Sequence, residues 1–259
     1  MKFRLAALPL VLTFMAVSAT AASNDANVFN LVNTSGKSIG NASYKLTHNK
    51  DGYHLVGKFQ YHFAAGGPAT EDIGTKTVSG LLNEAQITED LKFNDNGDFL
   101  SGYTQNSTNQ MMTSFQPDKA RKQVTVNQIQ GGVSLGSSDI PMPRPDFLVE
   151  PDYDPGTLQV LLAAAIAHPH ADKLYLMIVP AGSNPRAGSS TVYVTIQEGP
   201  DAPAGTLDGK PITLKHFLLG FHASKADAYT DGDGNLMQAD MAALHASYIR
   251  AKFVMTTPK

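Results

Sequence analysis

Along residues 38–63, SIGNASYKLTHNKDGYHLVGKFQYHF, apolar and polar side chains alternate with a period of two, the spacing of a strand that buries one face. Tyr53, Leu55, Phe59, Tyr61 and Phe63 share one face, while His54, Lys58, Gln60 and His62 share the other, with Val56 as the exception. The preceding run puts Tyr44 and Leu46 on one side and Lys45 and Thr47 on the other. Asp51-Gly52 supplies turn chemistry between the two runs, so the segment reads as a β-hairpin. A loop of Asp51-Gly52 alone and a loop over 49–52 differ by two residues of register, so the apolar faces coincide in both.

The same pattern continues downstream. Residues 81–93 and 98–105 form a second pair across Asn94-Asp95-Asn96-Gly97, and 111–115 and 122–128 follow with Pro117-Asp118 between them. The first half therefore reads as an antiparallel meander with one packed and one wetter face. Residues 130–155 change texture to paired glycines, Gly-Ser-Ser and five prolines (Pro141, Pro143, Pro145, Pro151 and Pro155), which predicts a long connection. Asp154-Pro155 then offers an N-cap and a first-turn proline, and Leu158, Leu161, Leu162, Ala165 and Ile166 recur at helical spacing until His168-Pro169 ends the run. One short helix, apolar almost all round, needs cover from a sheet. Residues 173–179 and 191–196 are apolar on both faces and predict central strands. Residues 212–219, 226–229, 236–241 and 247–254 complete a count of about a dozen strands.

Composition changes the picture mainly at the N-terminus. Lys2 and Arg4, an apolar run over 5–17 and the small residues Ala19-Thr20-Ala21 make an export signal over 1–21, and residues 22–259 are then expected to form a single β-rich domain. The apolar run is shorter than the roughly 20 residues a membrane span needs, so no transmembrane segment is expected in the mature chain. A periplasmic or secreted location follows. The absence of cysteine excludes a disulfide framework and a thiol nucleophile. Loss of Lys2 and Arg4 leaves 18 basic against 23 acidic residues, a net charge of −5, which argues against nucleic acid as a partner.

Candidate chemistry is sparse. His168-Pro-His170-Ala-Asp172 matches the start of the His-x-His-x-Asp-His pattern that gathers zinc in metallo-hydrolases, but position 173 is Lys. Histidines at the end of a helix explain the same segment. Asp231-Gly-Asp233-Gly-Asn235 with Asp240 invites a calcium loop, yet either alignment misplaces a ligand or the required glycine, and a hairpin turn accounts for the same residues. The chain lacks Gly-x-Ser-x-Gly and Gly-Lys-Ser/Thr, and no cofactor is expected. His54 and His62 share a face but sit about 26 Å apart along a strand, at roughly 3.3 Å per residue.

Taken in order, GKSIGNASYKL, DGYHLVGKFQY, the DNGD turn, the Pro-rich stretch into Asp154 and its helix, and the closing AYTDGDGNLMQADM resemble bacterial exported domains of unknown function. The layout is also loosely similar to periplasmic lipoprotein carriers with half-open β-barrels. The resemblance implies a mostly β fold, a large curved antiparallel sheet or half-open barrel with one short packed helix. The one-sided aromatic strands and the missing catalytic motifs point to a non-enzymatic envelope protein holding a lipid or other apolar small molecule, with Tyr44, Phe59, Tyr61, Phe99 and Leu162 as lining residues. The alternatives are a metal-dependent hydrolase centred on His168, His170 and Asp172, and an envelope scaffold acting through protein contacts.

Overall fold

The computed structural model describes residues 27–62, 84–142, 147–150, 154–167, 174–178, 190–200, 203–221 and 224–256. The first eight strands are β1 (Asn27–Asn33), β2 (Ser38–Asn49), β3 (Gly52–His62), β4 (Glu84–Phe93), β5 (Phe99–Asn106), β6 (Met111–Asp118), β7 (Gln123–Gln130) and β8 (Val133–Pro141). From β1 to β8 each pairs antiparallel with the next, which is the expected meander. The opening hairpin turns at Lys50-Asp51, with Asn49 opposite Gly52 and Gly52 at φ 112°. Its faces are as the alternation predicts: Leu55, Gly57 and Phe59 are buried, and Val56 and Lys58 are exposed.

The remaining elements are β9 (Leu148–Glu150), α1 (Pro155–Ala167), β10 (Leu174–Ile178), β11 (Ser190–Glu198), β12 (Ala204–Leu207), β13 (Lys210–Thr213), β14 (Lys215–Phe221), β15 (Ser224–Thr230), β16 (Leu236–Met241), β17 (Ala246–Arg250) and β18 (Phe253–Thr256). Fifteen strands form one open sheet in the order β8-β7-β6-β5-β4-β3-β2-β1-β17-β16-β15-β14-β11-β10-β9, and β13-β12-β18 form a second, small sheet. Pairing of β1 with β17 joins the two halves of the chain.

Among the described strands, β9 and β10 form the one parallel pair. A parallel pair needs a crossover connection, and α1 is that crossover, which lays it on the face of the sheet. The helix touches β9, β2, β3 and β16. In the sheet order β3 and β9 are nine strand spacings apart, about 43 Å if the sheet were flat at roughly 4.8 Å per strand. A helix only about 10–12 Å wide cannot bridge that distance, so the sheet curls around it. The Phe99 N–H donates to the Phe147 carbonyl at 2.7 Å, bringing the chain just before β9 onto the start of β5. The large curved antiparallel sheet around one packed helix is thus the architecture of the chain, left open between β8 and β9.

Three expectations need correction. Residues 133–141, assigned to a connection, form β8, because the tight Gly131-Gly132 turn, both residues at positive φ, folds them back along β7. Residues 212–219 and 247–254 each split into two strands, at Leu214 and at Ala251-Lys252, where the chain passes between the large and the small sheet. Leu214, Met237 and Phe253 make a small second core between them. Finally, β10 and β11 lie near the β9 end of the sheet instead of its centre, and Tyr193 of β11 is 49% exposed.

Candidate functional site

The inner face of the sheet is apolar with one polar row across it. Tyr44 on β2 stands opposite Gly57 on β3, Gly57 opposite Glu89 on β4, and the row runs on through Thr104, Thr113 and Gln128 on β5, β6 and β7. All five side chains are buried. The adjacent rows are built from Ala42, Phe59 and Ile87 on one side and Leu55, Leu91, Phe115 and Val126 on the other. Burying polar groups at such a density is costly unless each is satisfied, so this row needs specific partners.

Tyr44 and Glu89 find theirs at the start of α1. Asp154 is completely buried and caps the helix: its Oδ1 accepts from the Gly156 and Thr157 N–H groups at 2.7 and 2.9 Å, and its Oδ2 accepts from the Thr157 hydroxyl at 2.6 Å. The Asp-Pro start of the helix is therefore used as the sequence predicts. Glu89, 2% exposed, turns its carboxyl toward Asp154, and the two groups interact as a hydrogen-bonding pair. Gly57 makes the space for it, since a side chain at 57 would run into the Glu89 carboxyl and meet its Cγ at 2.7 Å. A side chain at Gly156 would likewise lie 3.0 Å from Asp154 Oδ1 and 3.2 Å from Glu89 Oε1, which places both carboxyls around one point. Burial pushes the Asp154 carboxyl above its ordinary range, against the opposing hydrogen bonds of Thr157, Gly156 and Glu89.

One turn further, Gln159 ties the helix to both halves of the sheet. Its Oε1 accepts from the Tyr44 hydroxyl at 3.1 Å and from the Leu236 N–H at 2.7 Å, and its Nε2 donates to the Gly234 carbonyl at 2.9 Å. Burial pushes the Tyr44 phenol far above its usual range, with the charge of Arg250 acting in the opposite direction. Tyr44 also stacks on Phe29, with ring centroids 5.7 Å apart.

His216 and His54 sit on the opposite face, and His48 lies at the exposed end of the inward row that holds Tyr53 and Phe93. His216 Nε2 lies 2.8 Å from Asp227 Oδ1, and its ring stacks on Tyr229 at 4.7 Å. His54 lies 2.9 Å from Asp90, and His48 lies 2.9 Å from Asp95 with its ring on Tyr53. These three pairs are dispersed over the sheet, and among the described residues no group of three or more His, Cys, Asp or Glu is placed to hold a metal ion. The acidic segment after β15 is a hairpin turn. Asp231 Oδ1 accepts from the Asp233 and Asn235 N–H groups at 3.0 and 2.8 Å, so its carboxylate closes the turn.

Of the residues expected to line a ligand site, Tyr44, Phe59, Phe99 and Leu162 are buried on the inner side in one continuous core. Phe99 lies 5.8 Å from the Phe93 ring, 6.3 Å from Phe115 and 6.1 Å from Phe147. Tyr61 belongs to β3, paired with Gly40 and Ala85. His168, His170 and Asp172 lie outside the described residues, as does the expected signal over 1–21. Glu89, Thr104, Thr113, Gln128 and Gln159 were not singled out from the sequence. The signal was there for the strand residues: Glu89 occupies the inward phase between Ile87 and Leu91, Thr113 between Met111 and Phe115, and Gln128 after Val124 and Val126.

No protein-family model matches the chain, and no curated protein matches its sequence. Among solved structures the chain is similar to the crystal structure of a DUF1089 family protein from Pseudomonas aeruginosa, at 14% identity over 76% of this chain and 87% of that one, with a TM-score of 0.41. Among the described residues no helix is long and apolar enough to cross a membrane.

Proposed function

We propose that this is a non-enzymatic exported protein that holds a lipid or other apolar ligand against the inner face of its sheet, in the place α1 now fills. One observation carries this reading: the sheet is open, and what occupies its curl is a helix whose Leu158, Val160, Leu161, Leu162 and Ala164 are 0–2% exposed. An apolar segment connected through a crossover is a plug, and a guest of the same chemistry would meet Tyr44, Phe59, Phe99 and Leu162 when the plug shifts. Native mass spectrometry and solvent extraction of the purified protein test this. A copurifying apolar molecule, lost on Leu162→Asp substitution in a chain that still folds, is the expected result. An empty protein that also fails to bind an apolar fluorophore when folded would overturn it.

A second reading, a scaffold acting through protein contacts, has its own observation. Strand β8 ends the sheet among the described strands, and Val133 and Leu135 on it are 65% and 52% exposed. An open edge with alternating apolar side chains suits strand addition by a second copy of this chain. Residues 133–138 carry no charge, so antiparallel self-pairing about Leu135 opposes no like charges. Sedimentation analysis distinguishes the two: a dimer dispersed by Leu135→Lys supports the scaffold, and a monomer at all concentrations removes it.

A further inference from the structure

We propose that Arg250 anchors an anionic head group, so that the guest of the inner face is an amphiphile with a carboxylate at one end, of the fatty-acid kind. This rests on the reading that an apolar ligand lies against that face, and it names the chemistry of the ligand's polar end.

Arg250 ends β17 directly opposite Phe29 of β1, and Tyr248, two residues earlier on the same strand, is buried in the main core. Alternation along the strand therefore puts Arg250 on the inner face. Its side chain is half-buried, so part of it meets solvent, yet its Nη1 is buried and has no hydrogen-bond partner. A buried cationic donor without an acceptor is costly, and arginine cannot escape that cost by giving up its proton. The polar groups nearby are committed elsewhere. The Tyr44 phenol feels the charge of Arg250 together with that of Asp231, but its hydroxyl donates to Gln159. Asp231 spends its carboxylate on its own turn, where Oδ1 accepts from the Asp233 and Asn235 N–H groups and Oδ2 accepts from Asn235 Nδ2 at 2.9 Å.

The row that starts at Arg250 supplies the other half of the ligand. Its register runs through Phe29, Ala42, Phe59 and Ile87 on β1 to β4, all buried, so an unbroken apolar track leads away from a cation that waits for an acceptor. A pocket wall of apolar side chains with one placed polar group at its end fixes both what binds and which way round it lies. A carboxylate is planar, carries one negative charge and matches the fork of a guanidinium. A head with two negative charges would leave one of them uncompensated beside Asp231.

The test titrates the full chain and its Arg250→Gln variant, at one pH and salt, with a polyene fatty acid that fluoresces in apolar surroundings and with its methyl ester. The acid should bind R250Q at least about tenfold more weakly than the wild-type chain, while the ester should bind both alike. Equal affinity of the acid for the two proteins, with the ester still bound, would overturn the anchor and leave the apolar-ligand reading standing; a loss shared equally by the ester would overturn the anchor as well. A wild-type chain that binds neither acid nor ester removes the apolar-ligand reading and the anchor with it. Displacement of the acid by an equal concentration of acetate would mark a free-anion site and overturn the amphiphile. Should R250Q not fold, the wild-type chain decides: a preference of about tenfold or more for the acid over the ester supports the anchor, and equal affinity overturns it.

Discussion

Replacing Gln159 with leucine should destabilise the fold mainly through the groups it abandons. The substitution leaves the Tyr44 hydroxyl and the Leu236 N–H, in residues 1% and 0% exposed, without the oxygen they share. A buried donor stranded in this way costs about 1–3 kcal/mol, so the two together cost roughly 2–6 kcal/mol. That is a large share of the about 5–15 kcal/mol that holds a typical domain together. Tyr44→Phe alone should cost only about 1 kcal/mol, since Gln159 keeps its bonds to Leu236 and Gly234. In the Gln159→Leu background the same change removes a hydroxyl that is already stranded, and it should be neutral or stabilising. Urea unfolding of the four proteins, with unchanged denaturant slopes, measures the coupling directly. About 2 kcal/mol of coupling is expected. Additivity within about 0.5 kcal/mol would refute the bridge as a determinant of how α1 docks.

Other substitutions probe neighbouring contacts. Gly57→Ala forces a methyl into the Glu89 side chain and to 2.8 Å from the Phe59 ring, so it should cost about 1–3 kcal/mol, and pairing it with Glu89→Ala should recover part of that loss in the same unfolding assay. Leu162→Ala empties a fully buried position between helix and sheet, and a fall of about 2–5 kcal/mol in unfolding free energy is expected; a loss under about 1 kcal/mol would show that the site collapses or was never tightly packed. Asp154→Ala removes the acceptor for three donors and should cost at least the about 1–2 kcal/mol of an ordinary cap, whereas Asp154→Asn should recover most of the capping term, as read by thermal unfolding at pH 7.

Much of the local structure was legible because it is decided locally. The inward and outward faces of β3 follow from Leu55, Phe59 and their polar neighbours, since a strand's side chains alternate whatever it pairs with. The start of α1 at Pro155 follows from Asp154, because a cap is made within one turn. The break at Leu214 was hidden for the opposite reason: 212–219 reads as one strand with no turn residue inside it, and only the presence of two sheets requires its two ends to go to different partners. The end position of β10 and β11 was hidden likewise, because apolar residues on both faces do not say which strand lies next.

By itself the sequence determined the class of the protein: a mostly β chain of antiparallel hairpins with one apolar helix, set by period, turn residues and a cap that act over a few positions. The tertiary structure alone decided the site. The polar row from Tyr44 to Gln128 depends on the register of six neighbouring strands, and alternation within each strand is silent about register between them. Gln159 meets Tyr44 across 115 residues of chain and Leu236 across 77. Glu89 reads locally as a charge in the wrong phase of a strand, and it acquires a role only because the curled sheet brings the capped end of α1 onto it.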